Sequence, residues 1–162
     1  MMERKKVDIG YLQQKKKAGE KLTMLTAYDY PTAKILDEAG VETILVGDSA
    51  ANVVLGYPDT VPVTLDELLV LNRAVRKAVQ YAFVIGDMPF GSYNVSAEQA
   101  IANGTRFMKE AGSDAVKLEG GAHMAATIAF LVARGIPVMG HVGLTPQSIN
   151  TLGGYKVQGR GA

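Results

Sequence analysis

Five times along the chain, a short apolar or β-branched run is followed by a stretch with helical periodicity. This alternation constrains the fold more than any other feature, because it predicts a parallel sheet built from βα units. The predicted strands cover residues 22–27, 43–48, 82–87, 115–119 and 137–141. The intervening helices carry start signals: Pro31 suits a first helical position, and Thr64 with Glu67 and Ser96 with Gln99 read as capping boxes. Gly40, Gly112 and Gly135 each stand between a helical stretch and a strand, where a left-handed C′ glycine ends a helix. EAGVETILVGD, from Glu38, and EAGSDAVKLEG, from Glu110, read as two copies of one helix, stop and strand unit.

Periodicity does not separate a barrel from a doubly wound sheet, but GxGxxG and GxxxxGK[ST] are both absent, which favours the barrel. A (β/α)8 barrel has eight strands in typically about 250 residues. The 162 residues therefore read as the first five βα units of one barrel catalytic domain, with residues 1–20 as an N-terminal helical segment. The glycine-rich GGYKVQGRGA end, with no helix after it, is expected to mark a chain truncated at its C-terminus.

With 48% hydrophobic and 20% charged residues, the chain can bury a core. Seventeen basic and 16 acidic side chains give a net charge of +1, which leaves no electrostatic footprint for nucleic acid or an anionic membrane. The lack of cysteine excludes disulfides, thiolate metal sites and a cysteine nucleophile, and fits a cytoplasmic location. The N-terminus lacks the apolar stretch of a signal peptide, and no apolar run approaches the ~20 residues of a membrane span. Lys15, Lys16 and Lys17 read as the solvated face of a short helix.

In such a barrel the chemistry lies at the C-terminal strand ends. Those ends are acidic: Asp48 with Ser49 after the second strand, Asp87 after the third, Lys117 and Glu119 on the fourth, His141 on the fifth. Strand alternation puts Lys117 and Glu119 on one face, pointing inward, with Val116 and Leu118 toward the helices. The same count places Ile44 and Val46 on the face of Asp48, and Phe83 and Ile85 on that of Asp87. Three unpaired carboxylates on one rim repel one another and suffer desolvation, so a shared cation is expected, and oxygen-only ligands favour Mg²⁺. Each acid can instead cap the next helix, Lys117 can be a partner ion for Glu119, and His141 a hydrogen-bonded core residue. Ser49 lacks a GxSxG setting and is not read as a nucleophile.

The runs TAYDY, LVGDS, TLDEL, DMPFGSY, VKLEGG, GHVGLTPQS and GGYKVQGRG, in this order from Thr26 to Gly161, resemble the ketopantoate hydroxymethyltransferase family. The resemblance implies that Asp48, Asp87 and Glu119 surround Mg²⁺, directly or through water. It implies that Asp48, Ser49, Asp87 and Lys117 hold a 2-oxo acid chelating that ion, and that His141 lies near the reacting end of the substrate. The implied reaction moves a hydroxymethyl group from 5,10-methylenetetrahydrofolate to 3-methyl-2-oxobutanoate, giving 2-dehydropantoate for pantothenate and coenzyme A synthesis. The family's general base is a glutamate on a later strand, beyond Ala162, and its members are expected to be homo-oligomers. Two alternatives stand beside this reading. One is a magnesium-dependent 2-oxo acid lyase of the phosphoenolpyruvate and isocitrate lyase type, whose common catalytic cysteine is absent here. The other is an inactive fragment that only binds metal or self-associates.

Overall fold

The computed structural model describes residues 4–159. It contains β1 (Met24–Thr26), β2 (Thr43–Val46), β3 (Phe83–Asp87), β4 (Ala115–Glu119) and β5 (Val138–His141). Around them run α1 (Ile9–Ala18), α2 (Tyr30–Glu38), α3 (Ala50–Val53), α4 (Leu65–Ala78), α5 (Ala97–Lys109), α6 (Ala125–Val132) and α7 (Ile149–Leu152). The strands form one sheet in the order β1-β2-β3-β4-β5, every neighbouring pair parallel. This is the five-stranded arc of a (β/α)8 barrel, as the βα alternation predicts. Arg160, Gly161 and Ala162, the end of the glycine-rich run, lie outside the described residues.

The local signals act as expected. Asp29 caps α2, with Pro31 in its first turn, and the Thr64–Glu67 capping box is complete in both directions. Ser96 accepts from the Gln99 backbone N–H, but the Gln99 side chain turns to the Val95 N–H, so this box closes one residue early. Gly40, Gly112 and Gly135 have φ of 94°, 73° and 86°, a region costly for any side chain.

Most of the core lies between the sheet and its helices. Ile44, Val46 and Val84 pack with Ala33 of α2 and Val75 and Ala78 of α4, while Val116 and Leu118 pack with Phe107 of α5 and Leu131 of α6. At Gly86 a Cβ would lie 2.4 Å from the Phe107 ring, so the glycine lets α5 seat directly on β3. The opposite, inner face holds Leu45, Phe83, Ile85, Ala115 and Met139 against Val7 and Leu12. An apolar cavity of about 390 Å³ lies on this side, between α1 and the strands.

One parity expectation is overturned. Ile44 and Val46 face the helices, and Leu45 faces inward with Ile85. Strand β2 ends at Val46, so counting back by twos from Asp48 crosses the turn at Gly47, where alternation no longer holds. β3 runs unbroken to Asp87, and Phe83, Ile85 and Asp87 do share a face.

Two carboxylates secure the frame. Asp37, buried at the end of α2, accepts backbone N–H bonds from Gln80, Tyr81 and Ala82 at 2.9, 3.2 and 2.7 Å and fixes the approach to β3. Glu42 accepts from the Tyr11 hydroxyl, the Lys15 ammonium and the Thr23 backbone N–H at 2.6, 2.6 and 2.8 Å, tying α1 to the sheet. Lys15 is thus more than a solvated charge. Burial pushes the Glu42 carboxyl up, but Lys15, Tyr11 and Thr23 outweigh it and hold the pKa down to about 2. A depressed acid pKa contributes stability above the ordinary value of 4.5 and loses it as pH falls through about 2. Glu42→Gln is expected to cost about 1–3 kcal/mol at pH 7 and to flatten the loss of stability between those two pH values. Chemical denaturation across pH checks this, and parallel acid limbs in the two proteins would contradict it.

Candidate active site

The sheet register builds the site. Asp87 of β3 stands directly beside Lys117 of β4, and Glu119 of β4 directly beside His141 of β5. Neighbouring strands lie about 4.8 Å apart, so side chains leaving the same face at paired positions must meet. They do: Lys117 Nζ donates to both Asp87 oxygens at 2.9 and 2.8 Å, and His141 Nδ1 lies 3.0 Å from Glu119 Oε1. Lys117 is therefore chiefly the counter-ion of Asp87, with Glu119 Oε1 farther off at 3.9 Å.

Asp48 joins through the turn after β2. Its backbone N–H donates to Asp87 Oδ2 at 3.1 Å, and at Gly47 a Cβ would sit 2.8 Å from Ser49 Oγ. Glycine at 47 lets the turn close this tightly. Ser49 is half-buried and its hydroxyl meets that of Tyr28 at 2.8 Å rather than any of the three carboxylates. None of Asp48, Asp87 and Glu119 caps a helix.

All four charged residues are deeply buried: Asp48 is 4% exposed, Asp87 1%, Lys117 9% and Glu119 5%. The one ammonium among them pairs with Asp87 and stands 3.9 Å from Glu119, in a place water barely reaches. Burial pushes the Asp87 carboxyl up to about 7; Lys117 opposes the shift and Asp48 adds to it. Burial also raises the pKa of Glu119, against the pull of the Gln147 N–H and Lys117. Ionising the whole set is costly without a further cation.

The three acids line one rim without closing a cage of their own. Among the described residues, no three His, Asp or Glu side chains stand close enough to enclose an ion. The reason is Gln147, whose side chain donates to Asp48 Oδ2 at 2.9 Å and whose backbone N–H donates to Glu119 Oε2 at 3.0 Å, so it stands between these two carboxylates. Such a donor set fits Mg²⁺, which takes one or two carboxylates and completes its shell with water and substrate oxygens.

Sequence reasoning missed Gln147, Tyr93 and Tyr28. All three occur in the quoted runs GHVGLTPQS, DMPFGSY and TAYDY, but on loops, where no periodicity marks an inward side chain. A polar cleft of about 290 Å³ opens beside Tyr93 and Gln147, lined also by Glu119, Gly121, His123 and Thr145. No described helix is long and apolar enough to cross a membrane.

Comparison with known proteins gives this geometry a lineage. The 3-methyl-2-oxobutanoate hydroxymethyltransferase of Rhodococcus jostii (strain RHA1) is 59% identical over 158 residues, 98% of this chain and 55% of that protein. The enzyme of the same name from Mycobacterium leprae (strain TN) is 58% identical over 160 residues, 99% of this chain and 56% of that protein. The chain thus spans about half the length of these curated relatives. Among solved structures, phosphonopyruvate hydrolase in complex with oxalate and Mg²⁺ matches with a TM-score of 0.66 at 19% identity, over 80% of this chain and 50% of that one. 2,3-Dimethylmalate lyase, of the PEP mutase/isocitrate lyase superfamily, matches with a TM-score of 0.59 at 14% identity, over 81% and 51%. At such low identities the likeness is one of fold. The family model for ketopantoate hydroxymethyltransferase matches residues 6–162, and the chain belongs to that family.

Proposed function

We propose that the protein carrying this segment transfers a hydroxymethyl group from 5,10-methylenetetrahydrofolate to 3-methyl-2-oxobutanoate, forming 2-dehydropantoate with Mg²⁺ as cofactor. The observation that carries this reading is the excess of buried carboxylate at the inner strand ends: Asp48, Asp87 and Glu119 against the single cation Lys117. One ammonium does not offset the burial of three carboxylates, and a cation with an anionic substrate accounts for the excess.

Asp48, Asp87 and Glu119 are the residues that would hold Mg²⁺. Bound there, the ion supplies Lewis-acid polarisation of the substrate's keto oxygen, which lowers the cost of removing the proton from C3. Lys117, paired with Asp87, would bind the substrate's anionic end, with Ser49, whose hydroxyl meets that of Tyr28, as a further contact. His141 is held by Glu119 through one ring nitrogen and is partly open to solvent, which leaves its other ring nitrogen free to face the reacting end of a substrate bound there, as the family resemblance implies. Water opens the methylene bridge of the folate, freeing tetrahydrofolate and a one-carbon unit at the formaldehyde level. Once C3 has lost its proton, the resulting carbon nucleophile adds to that unit, and the alkoxide so formed takes up a proton to give the hydroxymethyl group.

A chain of the relatives' full length, numbered as here, should exchange the C3 proton of 3-methyl-2-oxobutanoate for deuterium in a Mg²⁺-dependent manner, followed by proton NMR in D₂O. Asp87→Asn should remove most of this exchange and of turnover; unchanged metal dependence in that variant would defeat the metal assignment. Lys117→Ala should raise the dissociation constant for 3-methyl-2-oxobutanoate about tenfold or more, as loss of a charge-assisted contact worth ~1.5–3 kcal/mol would. Equal affinity by calorimetry would reduce Lys117 to a counter-ion for Asp87.

A further inference from the structure

Gln147 lies on the 3-10 turn Pro146–Ser148, after β5, and is only 4% exposed. Every polar group it offers to the site is engaged. Its backbone N–H donates to Glu119 Oε2 at 3.0 Å, its Nε2 donates to Asp48 Oδ2 at 2.9 Å and to the Met88 carbonyl at 3.0 Å, and its Oε1 accepts from the Tyr93 hydroxyl at 2.5 Å. Two strands separate β2 from β5 in the sheet, yet this one side chain joins the turn after β5 to Asp48 beyond β2. Only a curved sheet allows that.

The partners decide which way the amide points. A carboxylate oxygen of Asp48 and the carbonyl of Met88 can only accept, so both require the NH₂ end. The Tyr93 hydroxyl already accepts from the Glu119 backbone N–H at 3.1 Å, which leaves its own proton for the amide oxygen. Tyr93 is itself buried, 2% exposed, and packs in the main core, so it locks the orientation. The wrong amide orientation would set two acceptors against each other at Asp48 and leave the Tyr93 proton without an acceptor, at the cost of buried polar groups without partners.

We infer that Gln147, oriented by Tyr93, is a positioning residue that holds Asp48 and Glu119 apart on either side of the Asp87–Lys117 pair. The cation and the 2-oxo acid then meet an oxygen set already spaced for them. This rests on the reading given under Proposed function. A residue that merely anchored the loop would affect unfolding, not the metal; partners that orient metal-binding carboxylates typically cost 10- to 100-fold in metal affinity or activity when removed.

The test uses a chain of the relatives' full length with Mn²⁺ alone as the probe, its binding followed by loss of the free-ion signal in electron paramagnetic resonance. Gln147→Ala should weaken Mn²⁺ binding about tenfold and lower kcat more than it raises KM for 3-methyl-2-oxobutanoate. Tyr93→Phe, which keeps the packed ring, should produce a smaller loss in the same direction and none beyond that of Gln147→Ala when the two are combined. Thermal unfolding of each variant separates positioning from folding. Variants that unfold earlier but bind Mn²⁺ and turn over like the parent would overturn the inference, as would equal, additive losses from the two substitutions. Failure of the unsubstituted protein to bind Mn²⁺ would instead bring down the metal reading itself, and this inference with it.

Discussion

The Asp87–Lys117 pair is the interaction on which the rest of the site depends. It is a consequence of register: the two residues are direct partners on adjacent parallel strands, leave the same face and are buried at the inner end of the sheet. A buried ion pair of this kind contributes little net stability, because desolvation offsets the attraction, while loss of one partner is strongly unfavourable. Its value is geometric. Lys117 holds both oxygens of Asp87 in place, and Asp87 in turn accepts the backbone N–H of Asp48, so the turn after β2 is set by the pair on β3 and β4.

The second cross-strand pair, Glu119 with His141, repeats the arrangement one strand further along. Between Glu119 of this pair and Asp48 the chain places a neutral amide, Gln147, instead of another cation. The difference matters for function. A second lysine here would offset part of the excess carboxylate within the protein. An amide spaces the acids while leaving their charge uncompensated, and an uncompensated buried charge is what a divalent cation and its chelated substrate can satisfy. The frame beneath is arranged so that this cost is carried elsewhere. Phe107 seats α5 on β3 at Gly86, Asp37 pins the entry to β3, and Glu42 holds α1 against the sheet.

Much of this was legible in the sequence because it rests on short-range rules. Strands at 115–119 and 137–141 were marked by apolar runs and by glycine stops at 112 and 135, and the structure holds them within a residue. Lys117 and Glu119 could be placed on one inward face because their strand is unbroken from end to end. Asp48 was located correctly at the rim, but the count that put Ile44 and Val46 on its face failed, since Gly47 interrupts the strand and no residue in the sequence announces where alternation stops. What stayed hidden has a common physical cause. Which acid Lys117 pairs with is set by register between strands 30 residues apart, and Gln147 reaches Asp48 across 99 residues of sequence. Neither distance leaves a periodic trace. Loop side chains such as Tyr28, Tyr93 and Gln147 are recognisable only once the sheet has curved and brought its strand ends together.

The central claim is that the carboxylates around Lys117 form a cation site spaced by Gln147. The most direct test is the position of a bound ion in crystals of a full-length relative-sized chain grown with Mn²⁺, located by anomalous scattering. The account predicts one peak at the C-terminal strand ends, among the carboxylates of Asp48, Asp87 and Glu119, reached directly or through water, with Gln147 still bridging Asp48 and Glu119. A peak held elsewhere, or no peak at these strand ends at saturating Mn²⁺, would contradict it.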